Sequence, residues 1–162
     1  MNERSVVAEG TFGFAPEEIV TSEPTRAARL KWVVVVDATI PAGQMVNAVA
    51  CIAAGTGASV AGLIGPSGAD AAGHPHPGLP WAGCTILTAA PAELAEVREK
   101  AVASEGVHVV DMPLIAQTTR VYDEFLAQLA ETKPADLATR AVSIIGPRNK
   151  ISKLVKRLEL MP

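Results

Sequence analysis

Between Ala38 and Ala92 the chain carries a single charged residue, Asp70, in 55 positions. Uncharged sequence of that length belongs to elements buried on both faces, or buried once by the fold and again by a partner chain. It is not a membrane span. Pro41, Gly43, Gln44, Asn47, Gly55, Gly57, Gly62, Gly65 and Pro66 break every apolar run before it reaches 18 residues. A chain of 162 residues is long enough for one core and short for two. With 49% hydrophobic and 19% charged residues it lies far from disordered composition.

Net charge is −3, which gives no global attraction to nucleic acid. Its distribution is uneven: Arg148, Lys150, Lys153, Lys156 and Arg157 stand against Glu159 alone, a local +4, and the remainder carries −7. Cys51 and Cys84 sit among small and apolar neighbours, with no ligand cluster and no disulfide framework around them. The first residues, MNERSVVAEG, contain no apolar signal region, so a cytoplasmic setting is expected.

Residues 1–30 mix charge, Pro and Gly and read as an N-terminal extension, with a short strand at Ser5–Val7; residues 31–162 read as a single α/β domain. Lys31–Val36 has the continuous apolar run of a strand covered on both faces. A helix is expected from Gly43 to Gly55, with Met45, Val46, Val49, Ile52 and Ala53 inward and Gln44, Asn47, Ala48, Cys51 and Gly55 outward. A strand at Val60–Ile64, a Gly/Pro/His loop and a strand at Cys84–Thr88 follow. Pro91 opens a helix with Glu93 and Glu96 in its first turns, and Gly106 closes it. A strand at Val107–Asp111, a helix at Thr118–Glu131, a strand at Ala141–Ile145 and a helix at Ile151–Leu160 complete the pattern. The alternation predicts a mixed, mostly parallel sheet with helices on both faces.

Three places hold chemistry-bearing groups. Asp37, Thr39, Gln44 and Asn47 cluster after the first strand, where open α/β sheets place ligands beyond strand carboxyl ends. The bland alternative is a plain turn. Arg148 and Asn149, in Gly146–Lys150, combine cations with the free N–H groups of a helix start; the alternative is a solvated basic face. His74-Pro75-His76 has only Asp70 as a nearby acidic neighbour and reads as a loop, so no metal or other cofactor is expected. His108 falls inside a strand and reads as packed. No phosphate loop, dinucleotide fingerprint, zinc-protease helix or nucleophile elbow is found.

The strings Lys31–Asp37, Gln44–Ala50 and Gly146–Leu154, with Leu63-Ile64-Gly65 and the loop from Asp70 to Gly73, resemble an uncharacterised family of small, mainly bacterial proteins. That family is a domain of unknown function that shares the fold of type II peptidyl-tRNA hydrolases. The resemblance implies a four-stranded mixed sheet and no particular activity. Those hydrolases have a lysine-bearing glycine loop after the first strand, and here the loop reads Pro41-Ala42-Gly43-Gln44 without lysine. Asp111 stands where their aspartate falls, with Thr118 or Thr119 near the position of their threonine.

The leading expectation is a domain that binds a small anionic or nucleotide-like ligand near Asp37–Asn47. One rival is a hydrolase of an ester or amide linked to RNA, with Asp111 as base and the basic Arg148–Arg157 segment on phosphates. The other is a homodimer built on the neutral face of the first helix.

Overall fold

The computed structural model describes residues 11–162, so the strand expected at Ser5–Val7 lies outside the described residues. The first strand, β1 (Leu30–Asp37), is as buried as its composition demands: Val33 to Val36 are 0% exposed. It is followed by α1 (Ala42–Ser59), a small hairpin of β2 (Gly68–Ala69) and β3 (Pro75–His76), then β4 (Thr85–Ala89) and α2 (Pro91–Val102). Next come β5 (His108–Pro113), α3 (Leu114–Thr118), α4 (Tyr122–Glu131), β6 (Thr139–Pro147), α5 (Arg148–Leu154) and β7 (Glu159–Leu160).

The main sheet has five strands in the order β5-β6-β1-β4-β7. Only β1 and β4 pair in parallel; β1–β6, β5–β6 and β4–β7 are antiparallel. This corrects the expectation of four mostly parallel strands. Two connections make the difference. After β5 the chain passes through α3 and α4 and returns beside β5 as β6, and after α5 a turn sends β7 back along the edge of β4. The second expected strand, Val60–Ile64, contributes isolated bridges only, Gly13 with Ala61 and Ile64 with Pro80, because Gly62 turns the chain at φ +68°. The helix expected at Thr118–Glu131 starts later, at Tyr122, and a separate short helix ends at Thr118: Thr119 is extended, and the Thr118 and Thr119 hydroxyls bond back to carbonyls of the preceding turn.

Helices cover both faces. On one side α1 packs Ala48 and Ile52 onto Trp32, Val34, Val36, Met112, Ala141 and Ile145. On the other, α2 and α5 set Leu94, Val97, Ala101, Ile151 and Val155 against Val33, Val35, Val142 and Ile144. Two assignments on α1 are exchanged: Ala48 is fully buried, and Val46 is 64% exposed. Among the described residues no helix is long and apolar enough to cross a membrane. Among the described residues before β1, Phe14 is buried against the domain and its backbone N–H donates to the Ala61 carbonyl at 2.8 Å.

A buried polar chain ties the α1 layer to the sheet. The Trp32 indole donates to Ser143 Oγ at 2.8 Å, Ser143 and Thr56 hydroxyls meet at 2.7 Å, and Thr56 Oγ1 also donates to the Ile52 carbonyl at 2.7 Å. Removing the middle member strands a buried indole N–H. Ser143→Ala is expected to cost about 1–3 kcal/mol in denaturant unfolding. A change within about 0.5 kcal/mol, the range of an ordinary surface substitution, would remove this network from the forces that hold α1.

Candidate functional site

The carboxyl ends of β1 and β5 and the amino end of β6 meet at one edge of the sheet, because β6 runs antiparallel between the other two. Asp37 closes β1 with its side chain 6% exposed. Its Oδ1 accepts from the Thr39 backbone N–H at 2.8 Å and from Thr39 Oγ1 at 2.6 Å, which folds the turn before α1. Its Oδ2 lies 3.9 Å from Arg140 Nη1 on β6. Pro41 then supplies an extended residue ahead of α1.

A cleft of about 350 Å³ opens between the first turns of α1 and α3, lined by Gln44, Asn47, Leu114, Gln117, Thr118 and Arg140 among others. Gln117 Nε2 bridges it, donating to the Gln44 carbonyl at 2.9 Å and to Asn47 Oδ1 at 3.1 Å. Two buried polar atoms here have no partner, Gln117 Oε1 and Arg140 Nε. Buried polar groups are normally satisfied, so these two, one from α3 and one from β6, mark a local departure from that rule beside the cleft. Asp37 and Thr39 do not line the cleft; they act on it through Arg140 and the turn.

The structure thus unites Gln44 and Asn47, with Asp37 and Thr39 behind them, and separates the other candidates. Arg148 and Asn149 start α5 at the far end of β6, where Leu30 pairs with Pro147. The Arg148 guanidinium donates to the Ala28 carbonyl at 3.0 Å and the Thr25 carbonyl at 3.4 Å, holding the segment ahead of β1. Asn149 is exposed. Asp111 accepts a hydrogen bond from Arg98 Nε of α2 and does not line the cleft. His108 stacks on Phe12 with ring centroids 5.3 Å apart and shares a 2.8 Å hydrogen bond with Ser59 Oγ.

On the hairpin, His74 Nδ1 and His76 Nε2 lie 3.2 and 3.6 Å from Asp70 Oδ2. Hydrogen bonding from the His74 backbone N–H, with a smaller contribution from that of Ala72, holds the Asp70 carboxyl below its ordinary value. Among the described residues no group of three or more His, Cys, Asp or Glu side chains is arranged to hold a metal ion.

Sequence reading missed Arg140 and Gln117. Arg140 is the only charge in Thr139–Pro147, a strand otherwise apolar or small and neutral, and that isolation was the available signal. Gln117 lies in the Met112–Gln117 stretch, which departs from the hydrolase pattern, and only the packing of α3 beside α1 brings it to Asn47.

These features define an α/β domain with a polar cleft at the strand ends. The family described as protein of unknown function (DUF2000) matches residues 30–162, and the chain belongs to it. In the solved structure of a protein of unknown function from Agrobacterium tumefaciens, the superposition gives a TM-score of 0.77 at 15% identity, covering 83% of this chain and 98% of that one. At that identity the likeness concerns the fold. No curated protein matches the chain.

Neither cysteine lines the cleft. Cys51 is exposed on α1; Cys84 is also exposed by area, yet the protein mass around its sulfur desolvates the thiolate and pushes the thiol up to about 12. Iodoacetamide at pH 8 is therefore expected to alkylate Cys51 well before Cys84, as read by peptide mass spectrometry, with Cys84 accelerating as pH rises toward its raised value. Equal rates at pH 8 would contradict the desolvation of Cys84.

Proposed function

We propose that the cleft between α1 and α3 binds a small anionic or nucleotide-like ligand. The observation that carries this reading is the convergence of Arg140, the one charged residue among the described residues of the lining, with the amides of Gln44, Asn47 and Gln117. A guanidinium beside several amide groups suits an anionic oxygen with neighbouring polar atoms. The volume, about 350 Å³, lies at the small end of ligand sites. The kinship to type II peptidyl-tRNA hydrolases belongs to this reading as well. Arg140, arriving from β6, brings a cation to the region where the Pro41–Gln44 loop lacks the hydrolase lysine. Hydrolysis with Asp111 as base draws no support from the geometry, because Arg98 engages that carboxylate.

A thermal-shift panel of small carboxylates and phosphates tests the site. Ligand at one hundred times its Kd stabilises by about 2.7 kcal/mol, which raises the melting temperature by roughly 5–10 °C in a domain of this size. Arg140→Met and Asn47→Leu are expected to abolish that shift. Variants that keep it in full overturn the assignment.

We infer secondly that the outer face of α1 pairs two copies of the chain. None of its 18 residues is charged, and Val46, Ala50, Ala54 and Ala58 are exposed along one stripe. Small uncharged side chains allow close approach of a second helix and leave nothing charged to desolvate. Ala48 cannot report on this face, since it is buried inside the domain. Ala54→Glu is expected to convert a sedimenting dimer to monomer; a wild-type protein that already sediments as monomer refutes the pairing.

A further inference from the structure

A second concavity lies between α2 and α5, on the face of the sheet opposite α1, with a volume of about 650 Å³. Five cations line it: Lys100 from α2, Lys150 and Lys153 from α5, and Lys156 and Arg157 from the turn that follows. Two are occupied, Lys100 by Glu96 and Lys150 by the Glu105 carbonyl at 2.6 Å. Lys153, Lys156 and Arg157 are exposed and make no hydrogen bond or ion pair among the described residues. Five cations against the two carboxylates of Glu93 and Glu96 leave this concavity with a positive excess, and an anion there relieves it. The floor is aliphatic, formed by Val97, Leu154 and Leu158. No aromatic ring lines it, so the stacking platform that a nucleobase requires is absent from the lining.

We propose that this groove binds a small phosphate monoester with an aliphatic body, the phosphate held by Lys153, Lys156 and Arg157 and the chain laid along Val97, Leu154 and Leu158. Lysines serve as point-charge partners of phosphate, and a dianion answers several of them at once. The carboxylates of Glu93 and Glu96 on the same wall disfavour a run of successive phosphates and so disfavour a nucleic-acid strand. Lys100 holds the Glu96 carboxyl below its usual value, with Arg157 adding to the effect, which keeps that wall anionic at neutral pH. The site is independent of the Arg140 cleft, since the two share no lining residue.

The test is calorimetric titration of the full chain with n-octyl phosphate below its micelle threshold, beside inorganic phosphate and n-octyl glucoside. Octyl phosphate is expected to bind at least tenfold more tightly than inorganic phosphate, and the glucoside not at all. Its amide NMR shifts should cluster on residues 96–104 and 150–158. The double variant Lys153→Gln with Arg157→Gln, checked for retained fold by circular dichroism, should weaken binding tenfold or more. Absence of binding overturns the proposal, as does unchanged affinity in the double variant or a shift pattern centred on residues 43–47 and 114–118. Retention on phosphatidic-acid vesicles without binding of the monomer moves the source to a membrane surface and also overturns it. Binding of a 12-nucleotide RNA in place of octyl phosphate reassigns the groove to nucleic acid, with the same consequence.

Discussion

The domain hangs on a strand that has no solvent-facing side. β1 is hydrogen-bonded along one edge to β6 and along the other to β4, with α1 over one face and α2 and α5 over the other. A buried backbone must have every polar group paired, and β1 meets that requirement only by sitting at the centre of the sheet. Four successive fully buried valines, each worth about 1.5–3 kcal/mol on burial, leave no competing arrangement that keeps them dry. Register is as tightly set. A slip by one residue exchanges Trp32, Val34 and Val36 with Val33 and Val35, and takes the indole away from Ser143. Asp37 is thereby fixed at the strand end, and Arg140 is brought beside it by pairing of Val36 with Ala141.

What composition and periodicity reveal here depends on contrast between neighbouring residues. β1 is legible because five consecutive apolar positions, Trp32 to Val36, admit one reading, and α2 because Pro91 and Glu93 mark its start while Gly106, at φ +74°, ends the turn after it. α1 is legible as a helix but not in its orientation. With Ala, Val, Gly and Cys on all sides and no charge to mark the water side, the positions of Val46 and Ala48 are interchangeable by pattern and opposite in the fold. Strand direction is hidden for another reason: whether β6 runs with or against β1 depends on where α3 and α4 carry the chain, and the strand's own residues hold no record of it. Half of the candidate site was readable, since Gln44 and Asn47 stand on the turn that α/β logic singles out. Arg140 and Gln117 reach the same cleft from positions about 100 and 70 residues later, a proximity that only pairing and packing create.

Both concavities are built by the same local device. Pro113 ends β5 and Pro147 ends β6, and in each case the next residue begins a helix with no intervening loop. A proline cannot donate to a sheet ladder, and its fixed φ suits entry into a helix, so the strand stops and the helix starts at one bond. Gln117 on α3 and the lysines of α5 are therefore held relative to the sheet by short, stiff joints. The resulting distribution of charge is lopsided: the +4 segment gathers on α5 and the turn after it while the rest of the chain is acidic.

Strand β6 joins the Arg140 cleft to the start of α5 and works as a ruler. From Arg140 to Pro147 it spans seven residue steps, about 24 Å at the rise of an antiparallel strand. Residues Ala141 to Gly146 along it are buried, which leaves no slack for stretching or sliding. The Arg140 cleft and the first turn of α5 are thus held at a fixed separation.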